Sequence, residues 1–363
     1  MRLGVEAALV DGQRVPGDVE VEGGRIVRFG LAGPNGRGLA VPGFIDLQVN
    51  GFGGVDFLDA DADGYRRAGQ ALLETGVTAY LPTLISSPEE QTLAALREVP
   101  AGPDYPRILG VHLEGPFLSP RRLGTHAASA RRDPDLKLLD RLLDGGPVRM
   151  MTLAPELAGA GFLIARLLER GVTVSLGHSD ATAEQANAAF DLGVRTVTHL
   201  FNAMRPFRHR DPGIVGAALA RDDVIVQLIL DGVHLAPETV KVTARAAPGR
   251  VALVTDSITG AAAEDGAYSF GHLDVQVHDG TVRGPDGVLA GSVLTMIEAV
   301  RNLHALGVPL PEAIDAATVV PARVLGLSEI GRLDVGLPAD IVILDDSLEI
   351  ERVLVAGDVQ VAV

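Results

Sequence analysis

The chain has no cysteine, which removes disulfides, thiolate nucleophiles and cysteine-based zinc sites together and agrees weakly with a cytoplasmic address. Lysine is nearly absent as well, with Lys137 and Lys241 the only two in 363 residues. Aromatic residues make up 4%, too few for the stacking grooves that hold single-stranded nucleic acid. A formal charge of -16 with no Lys/Arg-rich run disfavours phosphate backbones as partners. Hydrophobic residues reach 47%, yet charged residues interrupt every stretch before the ~18 apolar residues a membrane span needs. The opening "MRLGVEAALVDGQRV" carries Glu6 and Asp11 inside its apolar stretch and has no small-residue cleavage site, so it reads as strand and turn, not a signal peptide.

From residue 40 onward, eight strand-length apolar runs alternate with helical stretches: 44–50, 77–84, 107–116, 148–156, 172–180, 196–204, 224–235 and 251–257. Helices are expected in "AGFLIARLLERG" (160–171) and "ATAEQANAAFDLG" (181–193). This order predicts an α/β fold, a (β/α)8 TIM-like barrel over residues 41–330. Residues 1–40 and 331–363 show short alternating strands with turn signals at "VDGQ" and "EGGR", and predict a small β-sandwich domain built from both chain termini. A turn-rich insert (268–287) and a helix in 292–306 follow the eighth strand.

In such a barrel the chemistry lies at the C-terminal ends of the strands. Glu114 ends the third run, His178 the fifth, His199 the sixth and Asp256 the eighth, while His234 lies just past the core of the seventh. A single histidine at a strand end is more often structural than a ligand, and a lone Asp there is usually a helix cap. Recurrence at equivalent positions of different strands is not explained that way. Glu with two neutral imidazoles suits a divalent metal with one position left for water, whose pKa falls to about 7. Asp256 then serves as general base and afterwards general acid, so the expected reaction class is metal-assisted hydrolysis.

The ordered set "PGFIDLQVNGFGG", "HLEGPF", "GTH", "SLGHSDA", "THLFNAM", "RDPGIVG", "DGVHL" and "LVTDS", with "LAGSVLTMIEAVRNL" and "GRLDVGLPADIVIL" further on, resembles the N-acetylglucosamine-6-phosphate deacetylases of the amidohydrolase superfamily. The likeness runs over nearly the whole chain. It implies hydrolysis of N-acetyl-D-glucosamine 6-phosphate to D-glucosamine 6-phosphate and acetate, in amino-sugar catabolism. It implies metal ligands Glu114, His178 and His199, and Asp256 as the proton-transfer residue. His126 is implied to polarise the amide carbonyl, and His126 and His234 to contact the sugar and its N-acetyl group. For the phosphate it implies backbone N–H groups at Asn202 and Ala203 and an Arg, here Arg210, reaching from a neighbouring subunit, and hence a homodimer. Arg205 and Arg208 lie in the same run.

Many superfamily members end the first strand in His-x-His, where this chain has Gln48-Val49-Asn50. Amides are weak ligands for transition metals, so one divalent ion per chain is expected, zinc first, with iron, manganese or cobalt also compatible. A dihydroorotase- or hydantoinase-like amidase shares the barrel but bridges two metals with a carbamylated lysine, and neither lysine here falls at a strand end. A non-catalytic relative is disfavoured because Glu114, His178, His199 and Asp256 are all present.

Overall fold

The computed structural model describes residues 1–32, 36–102 and 106–362. Eight parallel strands form a barrel: Phe44–Val49, Val77–Ile85, the pair Arg107–Ile108 and Val111–Glu114, Val148–Leu153, Thr173–Leu176, Thr196–Val197, Ile225–Leu228 and Val251–Leu253. Each pairs in parallel with its successor. The seam between eighth and first closes through a parallel bridge of Val49 with Ser257, and the Asp256 N–H donates to Gln48 O at 2.9 Å.

Most of these strands read as continuous apolar runs because both of their faces are covered, by the barrel interior and by the surrounding helices. Ala160–Glu169 and Ala183–Asp191 are helices as the sequence predicts, the second started by a capping box between Thr182 and Gln185. The third strand departs from the expected single run. It breaks at Gly110 (φ +121), where a Cβ would lie 2.5 Å from that of Arg149, so only glycine lets the backbone pass. The sixth strand is shorter than its apolar run, because the chain turns repeatedly just after Val197.

The chain ends meet in a six-stranded sheet that contains Ala7–Val10, Leu39–Pro42 and Ile341–Leu344. Leu39–Pro42 joins the termini, pairing in parallel with Ala7–Val10 and antiparallel with Ile341–Leu344. The hairpins turn at Asp11–Gly12 and Gly23–Gly24, with both residues of each pair at positive φ. Alternation then decides the two faces. Ala8, Ala40, Ile341 and Ile343 pack with Val19, Val21 and Ile26 of the hairpin beneath, and Ala7, Leu9, Val41, Val342 and Leu344 join the barrel core. Residues 33–35 and 363, part of the terminal spans named above, lie outside the described residues.

The insert after the eighth strand is a three-stranded antiparallel sheet, Gly266–Phe270, Leu273–His278 and Thr281–Arg283. It packs through Phe270, Val275 and Val277 onto Ile85 and Ile258, at the C-terminal mouth of the barrel. No helix among the described residues is long and apolar enough to cross a membrane.

Candidate active site

Glu114 is the last residue of the third strand, and its carboxylate is buried on the barrel axis side. Its Oε1 lies 3.1 Å from His178 Nε2 and 3.0 Å from His199 Nε2, and the two imidazole nitrogens are 3.1 Å apart. The histidines follow the ends of the fifth and sixth strands by two residues each, at φ +47 and +27. Non-glycine residues rarely take up such backbone, and it clusters at functional sites.

Three ligand atoms from three strands thus converge on one point, and their chemistry fits a divalent cation. His178 Nδ1 is 2.9 Å from the carbonyl of Arg122, so it carries the hydrogen and leaves the Nε2 lone pair for the ion. Gly124 (φ +57) lets this loop lie against the imidazole, since a Cβ there would sit 3.3 Å from His178 Cε1. Burial opposes the charge on Glu114, but the three imidazoles around it, His178 first, outweigh it and hold the carboxyl well below its ordinary range. Glu114 is therefore an anion ready to bind a cation.

Asp256 follows the eighth strand at φ +50 and faces the same point. Its Oδ1 accepts from Gln48 Nε2 at 3.0 Å and from Asn50 Nδ2 at 2.8 Å. Gln48 Nε2 also lies 3.0 Å from Glu114 Oε1. The amide oxygens of Gln48 and Asn50 are buried without a protein partner among the described residues. Burial, and after it the Glu114 charge, pushes Asp256 up to about 6. A carboxylate poised there takes and returns a proton near neutral pH.

His126 accepts the Ser86 N–H at Nδ1 (3.2 Å), so its hydrogen is on Nε2, 3.4 Å from Glu114 Oε2. Burial first, and then the neighbouring His178, bring it down to about 4, which keeps it neutral with an N–H to donate. His234 lines the same cleft, as do Asn202 and Ala203. The cleft encloses about 210 Å³, on the scale of a small molecule, and Ile229, Phe270 and Leu289 form an apolar wall.

Two expectations about the anion end are refined. The Asn202 N–H donates to His199 O at 3.0 Å, so that donor is already engaged, whereas the Ala203 N–H has no protein acceptor among the described residues. Arg205 is held by Asp211 (2.7 Å) and reaches Asp180 (3.5 Å), which ties it to its own chain. Arg208 and Arg210 are exposed on a tight turn closed by Arg208 and Asp211, and their side chains make no hydrogen bond or ion pair among the described residues.

The sequence reading missed Asp46. It is fully buried beneath Gln48, accepts the Thr255 hydroxyl at 2.6 Å and the Gln48 N–H at 3.2 Å, and ties the first strand to the eighth below Asp256. Burial pushes its carboxyl up to about 7, against the Thr255 and Gln48 donors. The signal was available: Asp46, Gln48 and Asn50 alternate on one face of an otherwise apolar strand.

Residues 39–360 match the model of the amidohydrolase family. The chain is 40% identical over 343 residues to N-acetylglucosamine-6-phosphate deacetylase of Mus musculus, covering 89% of this chain and 83% of that protein. It is 37% identical over 328 residues to N-acetylgalactosamine-6-phosphate deacetylase of Escherichia coli O157:H7, covering 88% and 87%. It superposes with a TM-score of 0.93, at 37% identity and over 99% and 98% of the two chains, on a mutant N-acetyl-D-glucosamine-6-phosphate deacetylase of Mycobacterium smegmatis in complex with N-acetyl-D-glucosamine-6-phosphate.

Proposed function

The chain belongs to the amidohydrolase family, and on that premise we propose that it hydrolyses N-acetyl-D-glucosamine 6-phosphate to D-glucosamine 6-phosphate and acetate, as a cytoplasmic enzyme of amino-sugar catabolism. One observation carries the reading: Glu114, His178 and His199 converge within hydrogen-bonding distance, with Asp256 facing the same point, in a chain whose relatives carry that activity in their names.

Glu114, His178 and His199 would hold one divalent ion, zinc first. When bound, that ion supplies Lewis acidity toward a water molecule and the amide carbonyl. Asp256 takes a proton from the attacking water, with Gln48 and Asn50 fixing its Oδ1. His126 donates from Nε2 to the carbonyl oxygen, where negative charge develops. Asp256 then gives its proton to the departing nitrogen as the C–N bond breaks, so the amine leaves neutral. The Ala203 N–H and the Asn202 side chain receive the phosphate, joined by Arg210 from a second copy of the chain in a homodimer, whose guanidinium fork suits a phosphate. His234 contacts the sugar. We assign this chemistry to a barrel unit of residues 41–330, with 1–40 and 331–363 as the small β unit.

The test is acetate release from the phosphorylated sugar by protein of measured metal content, with dihydroorotate and hydantoin as controls. Turnover of either control in place of the sugar phosphate would overturn the reading. The lysine-bridged alternative has nothing to stand on in the site, because Glu114 occupies the third strand end and Lys137 and Lys241 both lie on helices.

A further inference from the structure

Past the seventh strand, a single carboxylate organises the turn that carries His234. Asp231 Oδ1 accepts the N–H of Val233 at 2.9 Å and of His234 at 2.8 Å, a backbone turn closed by a side chain. Its other oxygen, Oδ2, lies 2.6 Å from His234 Nδ1. Both side chains are 7% exposed. The entry to the turn is anchored separately, because Asn302 on the helix Met296–Ala305 donates to Leu230 O at 2.7 Å.

Burial pushes the Asp231 carboxyl up, but the bond to His234 and the two amide donors bring it below its ordinary range. At neutral pH it is an acceptor only. The hydrogen between the two residues therefore belongs to His234 Nδ1, and Nε2 is the ring nitrogen left for the cleft that His234 lines together with Glu114, His199 and Asp256. A turn of this kind needs only Oδ1. The second contact, from Oδ2 to the imidazole, does something the backbone does not require.

We propose that Asp231 is a positioning residue for substrate: it locks His234 as the Nδ1–H tautomer, so that the Nε2 lone pair accepts a hydrogen bond from the bound sugar. Acceptance selects the donors of such a ligand, its hydroxyls and amide N–H, and rejects its phosphate and carbonyl oxygens. The sugar is thereby oriented with its phosphate away from His234. The identity of the ligand rests on the deacetylase reading, whereas the tautomer lock does not.

Asp231→Asn separates the lock from the turn. The Asn Oδ1 still accepts both backbone N–H groups, but an NH2 replaces Oδ2 and faces Nδ1, which must then accept and move the ring hydrogen to Nε2. Long-range proton–nitrogen-15 spectra of the metal-loaded protein, with His234 assigned by its loss in His234→Gln, should show Nδ1 protonated in the parent chain and Nε2 protonated in Asp231→Asn. KM for N-acetyl-D-glucosamine 6-phosphate should rise about tenfold or more, with kcat within about threefold and the metal content unchanged. An Nε2–H tautomer in the parent, or one pattern in both proteins, overturns the lock. A swapped tautomer with unchanged KM overturns the role in binding and reduces Asp231 to a turn former. A swapped tautomer in a protein that releases no acetate supports the lock and counts against the deacetylase reading.

Discussion

Gln48 and Asp256 are joined across the closing seam of the barrel, Gln48 Nε2 donating to Asp256 Oδ1 at 3.0 Å while the Gln48 carbonyl accepts the Asp256 N–H at 2.9 Å. The same Nε2 lies 3.0 Å from Glu114 Oε1. One amide thus separates two buried carboxylates that would otherwise repel each other. Gln48 is thus a donor that faces both carboxylates, and in the proposed reaction it orients Asp256.

Gln48→Leu should leave the fold in place and lower kcat by roughly 10- to 100-fold, because a hydrogen bond to a charged group contributes about 1.5–3 kcal/mol. Steady-state kinetics alongside metal analysis checks this. A variant with parental kcat would show that Asp256 is oriented without it.

Asp256→Asn should retain metal and lose turnover by about 10²–10⁴-fold, the usual contribution of a positioned proton-transfer group. The base form is the carboxylate, so in the parent kcat/KM should fall as pH drops and Asp256 becomes protonated. Its carboxyl stands at about 6 before any cation binds, and a bound cation pulls it lower, so the acid limb belongs below pH 6. A pH–rate profile measures the limb.

Chelation followed by gel filtration should abolish acetate release, and readdition of zinc should restore it at one equivalent per chain. Elemental analysis that finds two tightly bound ions would contradict the role given to Gln48 and Asn50, whose NH2 groups both donate to Asp256.

Asp46 gives a stability prediction. Its folded carboxyl is raised to about 7 from an ordinary value near 3.8, so the folded state binds the proton more tightly than the unfolded one. The contribution is most favourable below pH 4 and is lost as pH rises through 7. Asp46→Asn cannot ionise, so its melting temperature relative to the parent should climb by several degrees between pH 5 and pH 8. Parallel melting curves would reveal a partner that neutralises Asp46.

Arg210→Ala should raise KM about 10- to 100-fold with little change in kcat, since in the proposed reading the guanidinium binds a group that does not react. Arg205→Ala should instead lower stability, because Arg205 is held by Asp211 and Asp180. Mixing Arg210→Ala with Asp256→Asn tests the shared site: subunit exchange should create one site with both groups intact.

Much of the fold was legible because its signal is local. A buried parallel strand must be apolar for four or more residues, a helix must repeat its apolar face, and a tight hairpin must carry residues that tolerate positive φ. All three show in "TAYLPTL", "FLIARLL" and "VDGQ". The strand interruption at Gly110 was not visible, because it comes from Arg149 in the next strand and Pro147 just before it.

The candidate site divides in the same way. Residue type and strand-end position alone marked Glu114, His178, His199 and Asp256, because a barrel brings all its strand ends to one mouth. Pairings were another matter. That Gln48 lies between Glu114 and Asp256, that Asp46 clasps Thr255, that Asn202 has already used its N–H and that Arg205 is tied to Asp211 are contacts between side chains or turns. A hydrogen bond depends on a few tenths of an ångström and on direction, and those are set only when the whole barrel closes.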